Sequence, residues 1–137
     1  MSNQWHNDIF DMHSKYGLHG WIETHRGNPE LMKKFLEFRI NFLEEELNET
    51  RDAVRASDPE EIVDGLIDLC VIAIGTLDAF NIDAQKAWEQ VQTANMAKEV
   101  GVKESRPNPL GLPDLVKPKN WKAPSHADNH GYLTNNV

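Results

Sequence analysis

Two Asx-Pro steps, Asn28-Pro29 and Asp58-Pro59, leave the middle of this chain few ways to fold. An Asn or Asp ahead of a helix accepts a backbone N–H from the first turn. Proline fits the first helical position because it has no N–H to satisfy and its φ is already near the helical value. No proline or glycine interrupts residues 30–57, so one helix can run from Pro29 to about Ala56, roughly 40 Å. Leu31, Phe35, Phe38, Phe42 and Leu43 recur along it at three- and four-residue spacing and form one apolar stripe. A second helix runs from Pro59 to about Phe80, with Asp58 as its N-cap and Glu61 where a capping-box carboxylate reaches back to the Asp58 N–H. Leu66, Ile67, Leu69, Cys70, Val71, Ile72, Ile74 and Leu77 make this helix apolar nearly all round, as in a helix covered by neighbours or by a second subunit. The link between the two is short, which makes them an antiparallel hairpin.

The flanks follow from the same signals. "NDIFDMHSKYG" predicts a short first helix stopped at Gly17, followed by a loop through "LHGWIETHRG". Asn81 ends the apolar helix, and Asp83 caps a last one, "AQKAWEQVQTANMAKEV", stopped at Gly101. Five of the seven prolines then fall between Pro107 and Pro124, which excludes helix there. Leu110, Leu112, Leu115, Val116 and Trp121 give that segment side chains able to pack, so it reads as an extended arm, with a mobile tail in "SHADNHGYLTNNV". The fold class is all-α: a four-helix antiparallel bundle in residues 1–101, which carries the candidate catalytic residues, and a Pro-rich extended C-terminal arm and mobile tail in 102–137.

Charge narrows the function. The chain has 137 residues and a net charge of −8, and residues 37–68 alone carry eleven Asp/Glu against three Arg. That surface is unsuited to a phosphate backbone, so no nucleic acid polymer is expected as partner. It suits divalent cations, which prefer carboxylate oxygens. Cys70 is the single cysteine, "MSNQWHND" lacks the basic and apolar regions of a signal peptide, and the uncharged run Leu69 to Leu77 is too short to span a bilayer. A cytoplasmic protein with no membrane partner is expected.

On the first long helix Glu46 and Glu49 lie about 60° apart and can address one object. Asp64 and Asp68, four residues apart, share a face of the second, with Glu61 on the same arc. Closing the hairpin brings the two acidic faces together. Carboxylates converging without a cation repel and are desolvated, a conflict that Mg²⁺ or Mn²⁺ resolves. A solvated face accounts for Glu44 and Glu45 but not for Asp68, set among Leu66, Ile67, Leu69 and Cys70.

"EEELNE", "DGLIDLCVIAIGTLDAFNID" and "VQTANMAKE" together resemble the MazG-like all-α nucleoside triphosphate pyrophosphohydrolases, in particular their phage-type branch. The resemblance spans about residues 10–124 and rests on an E-E-x-x-E helix, an acidic partner helix, an N-M-x-K element at Asn95, Met96 and Lys98, and a K-x-x-x-W-x-x-P tail at Lys117 to Pro124. It implies Mg²⁺-dependent hydrolysis of a nucleoside or deoxynucleoside triphosphate to the monophosphate and pyrophosphate, in a host cytoplasm if the chain is phage-encoded. The metal ligands it implies are Glu46, Glu49, Asp68 and either Asp64 or Glu61. Glu45 or Glu49 would act as base, and Asn95 and Lys98 would bind the substrate phosphates. The chain departs from the family pattern at Gly65, three residues before Asp68, where a glutamate is usual; the literal E-x-x-D, Glu61 to Asp64, sits one turn earlier. We favour Asp64, because Glu61 has the capping role.

Two other readings compete: a phosphoribosyl-ATP pyrophosphohydrolase using the same helices, and a non-catalytic acidic helical interaction protein. A di-iron carboxylate bundle is disfavoured, since no histidine follows a glutamate by three residues. His6, His13, His19 and His25 are scattered through the first helix and loop, and Trp21, Trp88 and Trp121 read as core residues or base-stacking platforms. The apolar central helix, and the assembly of family members, predict a homodimer or homotetramer.

Overall fold

A computed structural model of the protein describes residues 4–103, 110–111 and 114–133. It is mostly helical: α1 (Gln4–Lys15), α2 (Leu18–His25), α3 (Pro29–Arg55), α4 (Pro59–Ala79) and α5 (Ala84–Met96), with two three-residue strands, β1 (Glu99–Gly101) and β2 (Asp114–Val116), paired antiparallel. The chain gathers into two compact units, Met1–Ala84 with Asn129–Val137, and Gln85–Asp128. No helix among the described residues is long and apolar enough to cross a membrane.

In the first unit both Asx-Pro steps cap as the sequence predicts. The Asn28 side chain accepts from the Leu31 N–H and that of Asp58 from the Glu61 N–H, both at 3.1 Å. The reciprocal half of the capping box is not made. The Asp58 N–H donates instead to the Ala53 carbonyl at 3.0 Å, and that of Ser57, at φ 54°, donates to Val54 at 3.1 Å. This is a Schellman ending for α3, and it leaves the Glu61 carboxylate without the capping job assigned to it from sequence. α4 ends the same way, with Asn81 at φ 55° and bonds from Asn81 to Asp78 and from Ile82 to Leu77, both 3.0 Å.

The core is Ile22, Met32, Ala79, Phe80 and Ile82, with Trp21, Phe35 and Leu77 packed against it. Two glycines bring elements close to α4. Gly65, buried, faces buried Thr50 of α3, and a side chain there would collide with Thr50 Oγ1. A Cβ at Gly75 would lie 2.6 Å from Arg39 Nη2 and 3.1 Å from His13 Cε1, so this glycine admits both side chains.

Three expectations change. Residues 18–25, read as a loop, are the helix α2. Gly17 at φ 82° breaks it from α1, and Leu18, Trp21 and Ile22 turn an apolar face to the core that the Gly- and His-containing composition hid. There are thus five helices among the described residues where four were expected. The last helix stops at Met96 rather than Gly101, because Glu99 and Gly101 leave it to pair with Val116 and Asp114. Within the second unit the Trp121 indole N–H donates to the Ala94 carbonyl at 2.8 Å. Of the proline-rich arm, residues 104–109 and 112–113 lie outside the described residues, as do 134–137 of the tail. Asn129–Leu133, expected to be mobile, lie on the end of α4. The Asn129 side chain bonds Asp83 N–H and C=O, each at 2.8 Å, and the Tyr132 N–H donates to the Phe80 carbonyl at 2.8 Å. Gly131 makes this approach possible, since a Cβ there would meet the same carbonyl oxygen.

Candidate active site

The acid face belongs to the α3–α4 hairpin. Because Gly65 lets α4 lie close at Thr50, whose Oγ1 donates to the Glu46 carbonyl at 2.8 Å, the carboxylates of Glu46 and Glu49 interact with those of Asp64 and Asp68. Desolvation, then the charges of Glu49 and Asp68, a proton-sharing bond with Glu49 and the charge of Asp64 push the Glu46 carboxyl above the usual carboxylate range. Asp68 is pushed up likewise by desolvation, by the charge of Asp64 and a bond shared with it, and by Glu49. Both are half-buried, whereas Glu49 and Asp64 are exposed. Such a set of oxygen donors, with Glu46 and Asp68 made harder to ionise by burial and by their neighbours, fits a hard divalent cation. Exposed Glu61 and Glu45 are not among the groups acting on Glu46 or Asp68.

Beside Glu46 and Asp68 opens a cavity of about 220 Å³ that also touches Met12, His13, Arg39 and Phe42. Arg39 is fixed in its wall: Nε donates to Thr76 Oγ1 and Nη2 to the Ile72 carbonyl, both at 3.0 Å, and burial lowers its pKa. Sequence reading missed it, although the signal was present. Arg39 stands on the apolar stripe, four residues after Phe35 and three before Phe42.

A second cluster was missed altogether. Asp78, 8% exposed near the end of α4, accepts at Oδ2 from His13 Nδ1 and from His19 Nε2, each at 2.7 Å. Burial alone would raise this carboxyl, but the hydrogen bonds and charges of the two histidines outweigh it and hold it below its ordinary value. Two hints were legible. Asp78 sits on the buried stripe with Ile72 and Gly75, and an acid at a helix C-terminus opposes the helix dipole.

Asn95 and Lys98 belong to the second unit. Asn95 is exposed in the last turn of α5, and Lys98 lies just past it with Nζ 5.5 Å from the Trp121 ring centroid.

A model of the family described as phosphoribosyl-ATP pyrophosphohydrolase, PRA-PH, matches residues 21–95. No curated protein and no solved structure matches the chain. The matched stretch is more than half of the chain and contains the whole α3–α4 hairpin with its acid face. The chain therefore belongs to the phosphoribosyl-ATP pyrophosphohydrolase family, a pyrophosphohydrolase family of the MazG-like all-α NTP pyrophosphohydrolase superfamily.

Proposed function

We propose that the protein hydrolyses a nucleoside or deoxynucleoside triphosphate between its α- and β-phosphates, releasing the monophosphate and pyrophosphate, with Mg²⁺ as the metal and Mn²⁺ able to replace it. The observation that carries this is the acid face, where carboxylates from both arms of one hairpin act on one another beside a cavity that also holds a guanidinium. Family membership supports the reaction class.

Glu46, Glu49, Asp64 and Asp68 hold the cation in this reading. Asp64 is chosen over Glu61 because its charge acts on both Glu46 and Asp68. When bound, the cation neutralises charge on the leaving pyrophosphate and acidifies a coordinated water. Glu49 or Glu45 takes the proton of the attacking water. Arg39, held by Thr76 and Ile72, offers a fixed cation to the substrate phosphates. Asn95 donates a hydrogen bond and Lys98 a point charge to the phosphates, roles that rest on the N-M-x-K resemblance.

The family match itself favours a second reading, phosphoribosyl-ATP as substrate. Both substrates present a triphosphate to the same acids, so turnover has to decide. A panel of NTPs, dNTPs and phosphoribosyl-ATP with Mg²⁺, scored for pyrophosphate against orthophosphate, is expected to show pyrophosphate from one or more NTPs, lost with a chelator and restored by Mg²⁺ or Mn²⁺. Turnover of phosphoribosyl-ATP alone establishes the second reading. Orthophosphate as first product overturns both, and indifference of activity and stability to Mg²⁺ leaves the non-catalytic interaction protein.

The assembly we propose is a homodimer or homotetramer. Val63, Leu66 and Ile67 on α4 are 62%, 52% and 48% exposed and Trp5 on α1 is 47% exposed, apolar surface that a partner chain would cover. Light scattering at micromolar concentration should give a multiple of 15.6 kDa, and a monodisperse monomer refutes the assembly.

A further inference from the structure

We propose that His13, His19 and Asp78 form a second cation site, sharing no residue with the acid face and suited to a borderline transition metal such as Zn²⁺. His13 Nδ1 and His19 Nε2 each lie 2.7 Å from the same Asp78 oxygen, and the three ligand atoms fall within 4.8 Å of one another. Two imidazole nitrogens and one carboxylate oxygen are a Zn²⁺, Co²⁺ or Fe²⁺ donor set; Mg²⁺ takes oxygen alone.

The spacing is that of hydrogen bonds, with two N–H groups donating to one carboxylate oxygen. A metal here takes the place of those two protons. With metal–ligand bonds of about 2.0–2.1 Å at the tetrahedral angle Zn²⁺ prefers, ligand atoms sit about 3.3 Å apart, so each N···O distance must open by about 0.6 Å. The histidine tautomers must then switch, and the surroundings of His19 allow it. Its Nδ1 lies 2.9 Å from Ser14 Oγ, and a hydroxyl either donates to a bare nitrogen or accepts from an N–H. Ser14 is thus the kind of outer partner that orients a metal-binding imidazole.

Access is built in. His13 and Asp78 are buried, but the His19 side chain is 30% exposed, and with Asp78 it lines a cavity of about 250 Å³ whose wall also includes Phe10, Glu23 and Asn81. That cavity provides an entry path, room for water on the metal, and in Glu23 a further carboxylate. Stability alone gives little reason for the cluster. Buried ionisable groups stabilise a core no better than apolar side chains of similar volume, and the end of α4 disfavours an acid.

Cobalt serves as the probe, because Co²⁺ bound through imidazole absorbs in the visible. Titration of the full chain with Co²⁺, without nucleotide, should give one saturable visible band per chain. The band should be displaced by Zn²⁺ and kept in Glu46→Gln. His19→Gln should weaken the affinity by at least about tenfold, with the helical circular dichroism unchanged. Asp78→Asn should do the same if it folds; half-exposed His19 keeps the test valid if it does not. The site is refuted if wild type gives no such band in excess Co²⁺, if His19→Gln titrates like wild type, or if only Glu46→Gln removes the band. The measurement involves no turnover, so its failure leaves the pyrophosphohydrolase reading untouched.

Discussion

Asp68 and Asp78 stand ten residues apart on α4, yet their surroundings treat them in opposite ways. Asp68 meets other carboxylates, and its pKa is raised. Asp78 meets two histidines, and its pKa is lowered although it is the more deeply buried. Burial disfavours ionisation at both sites; the neighbours decide the outcome, like charges at Asp68 and hydrogen-bonding histidines at Asp78. One region is thus left with excess negative charge that a proton or a cation from outside must balance, while in the other the carboxylate is already met by imidazole N–H groups of the chain.

The largest effect that tests this contrast is loss of the unbalanced charge. Asp68→Asn and Asp64→Asn should each lower Mg²⁺-dependent pyrophosphate release by more than about 100-fold, beyond what loss of an outer partner costs. In chelator the same variants should melt at a higher temperature, since repulsion is relieved. Unchanged turnover in both would remove the acid face from the mechanism.

Next comes the balanced site. Asp78→Ala leaves two inward imidazoles without their acceptor and should cost roughly 3 kcal/mol at pH 7 by urea unfolding. The pH dependence has opposite signs at the two sites. A lowered carboxyl binds fewer protons folded than unfolded, so the Asp78 contribution is present above the unfolded value of about 3.9 and is lost as pH falls through the folded one. Raised Glu46 and Asp68 bind more protons when folded. In chelator their contribution is therefore favourable at acid pH and is lost as pH rises from about 4 through their raised values. Unfolding curves of Asp78→Ala and Asp68→Asn against pH should consequently bend in opposite directions, and parallel curves would dissolve the contrast.

Gly65→Ala places a methyl against Thr50 and should destabilise the hairpin by about 1–3 kcal/mol. Turnover should fall with it, and Thr50→Ser, which keeps the Oγ that the new methyl meets, should not restore it. The smallest effect expected is that of Glu61→Gln. Only the backbone N–H of Glu61 serves the Asp58 cap, so losing its charge at the helix start should cost at most about 1 kcal/mol and leave most activity. A dead Glu61→Gln beside an active Asp64→Asn would move the fourth ligand to Glu61.

Local chemistry wrote much of this protein into its sequence. Asn28-Pro29 and Asp58-Pro59 act through their own first turns, and the 3.6-residue period fixes which acids share a helix face, so the hairpin and the grouping of Glu46 with Glu49 and of Asp64 with Asp68 needed no tertiary information. Other features depend on what arrives from elsewhere in the chain. α2 is a helix because Trp21 and Ile22 find a core. His13 and His19 are 65 and 59 residues from the carboxylate they share, and no spacing rule reaches that far. Gly65 likewise reads as a missing glutamate until Thr50 is seen against it. The sequence by itself determined the helices and the faces they present, because propensity and periodicity act within a few turns. Only the tertiary structure decided which acids remain unbalanced and which find a histidine, because a carboxylate's ionisation depends on whichever charges packing brings beside it.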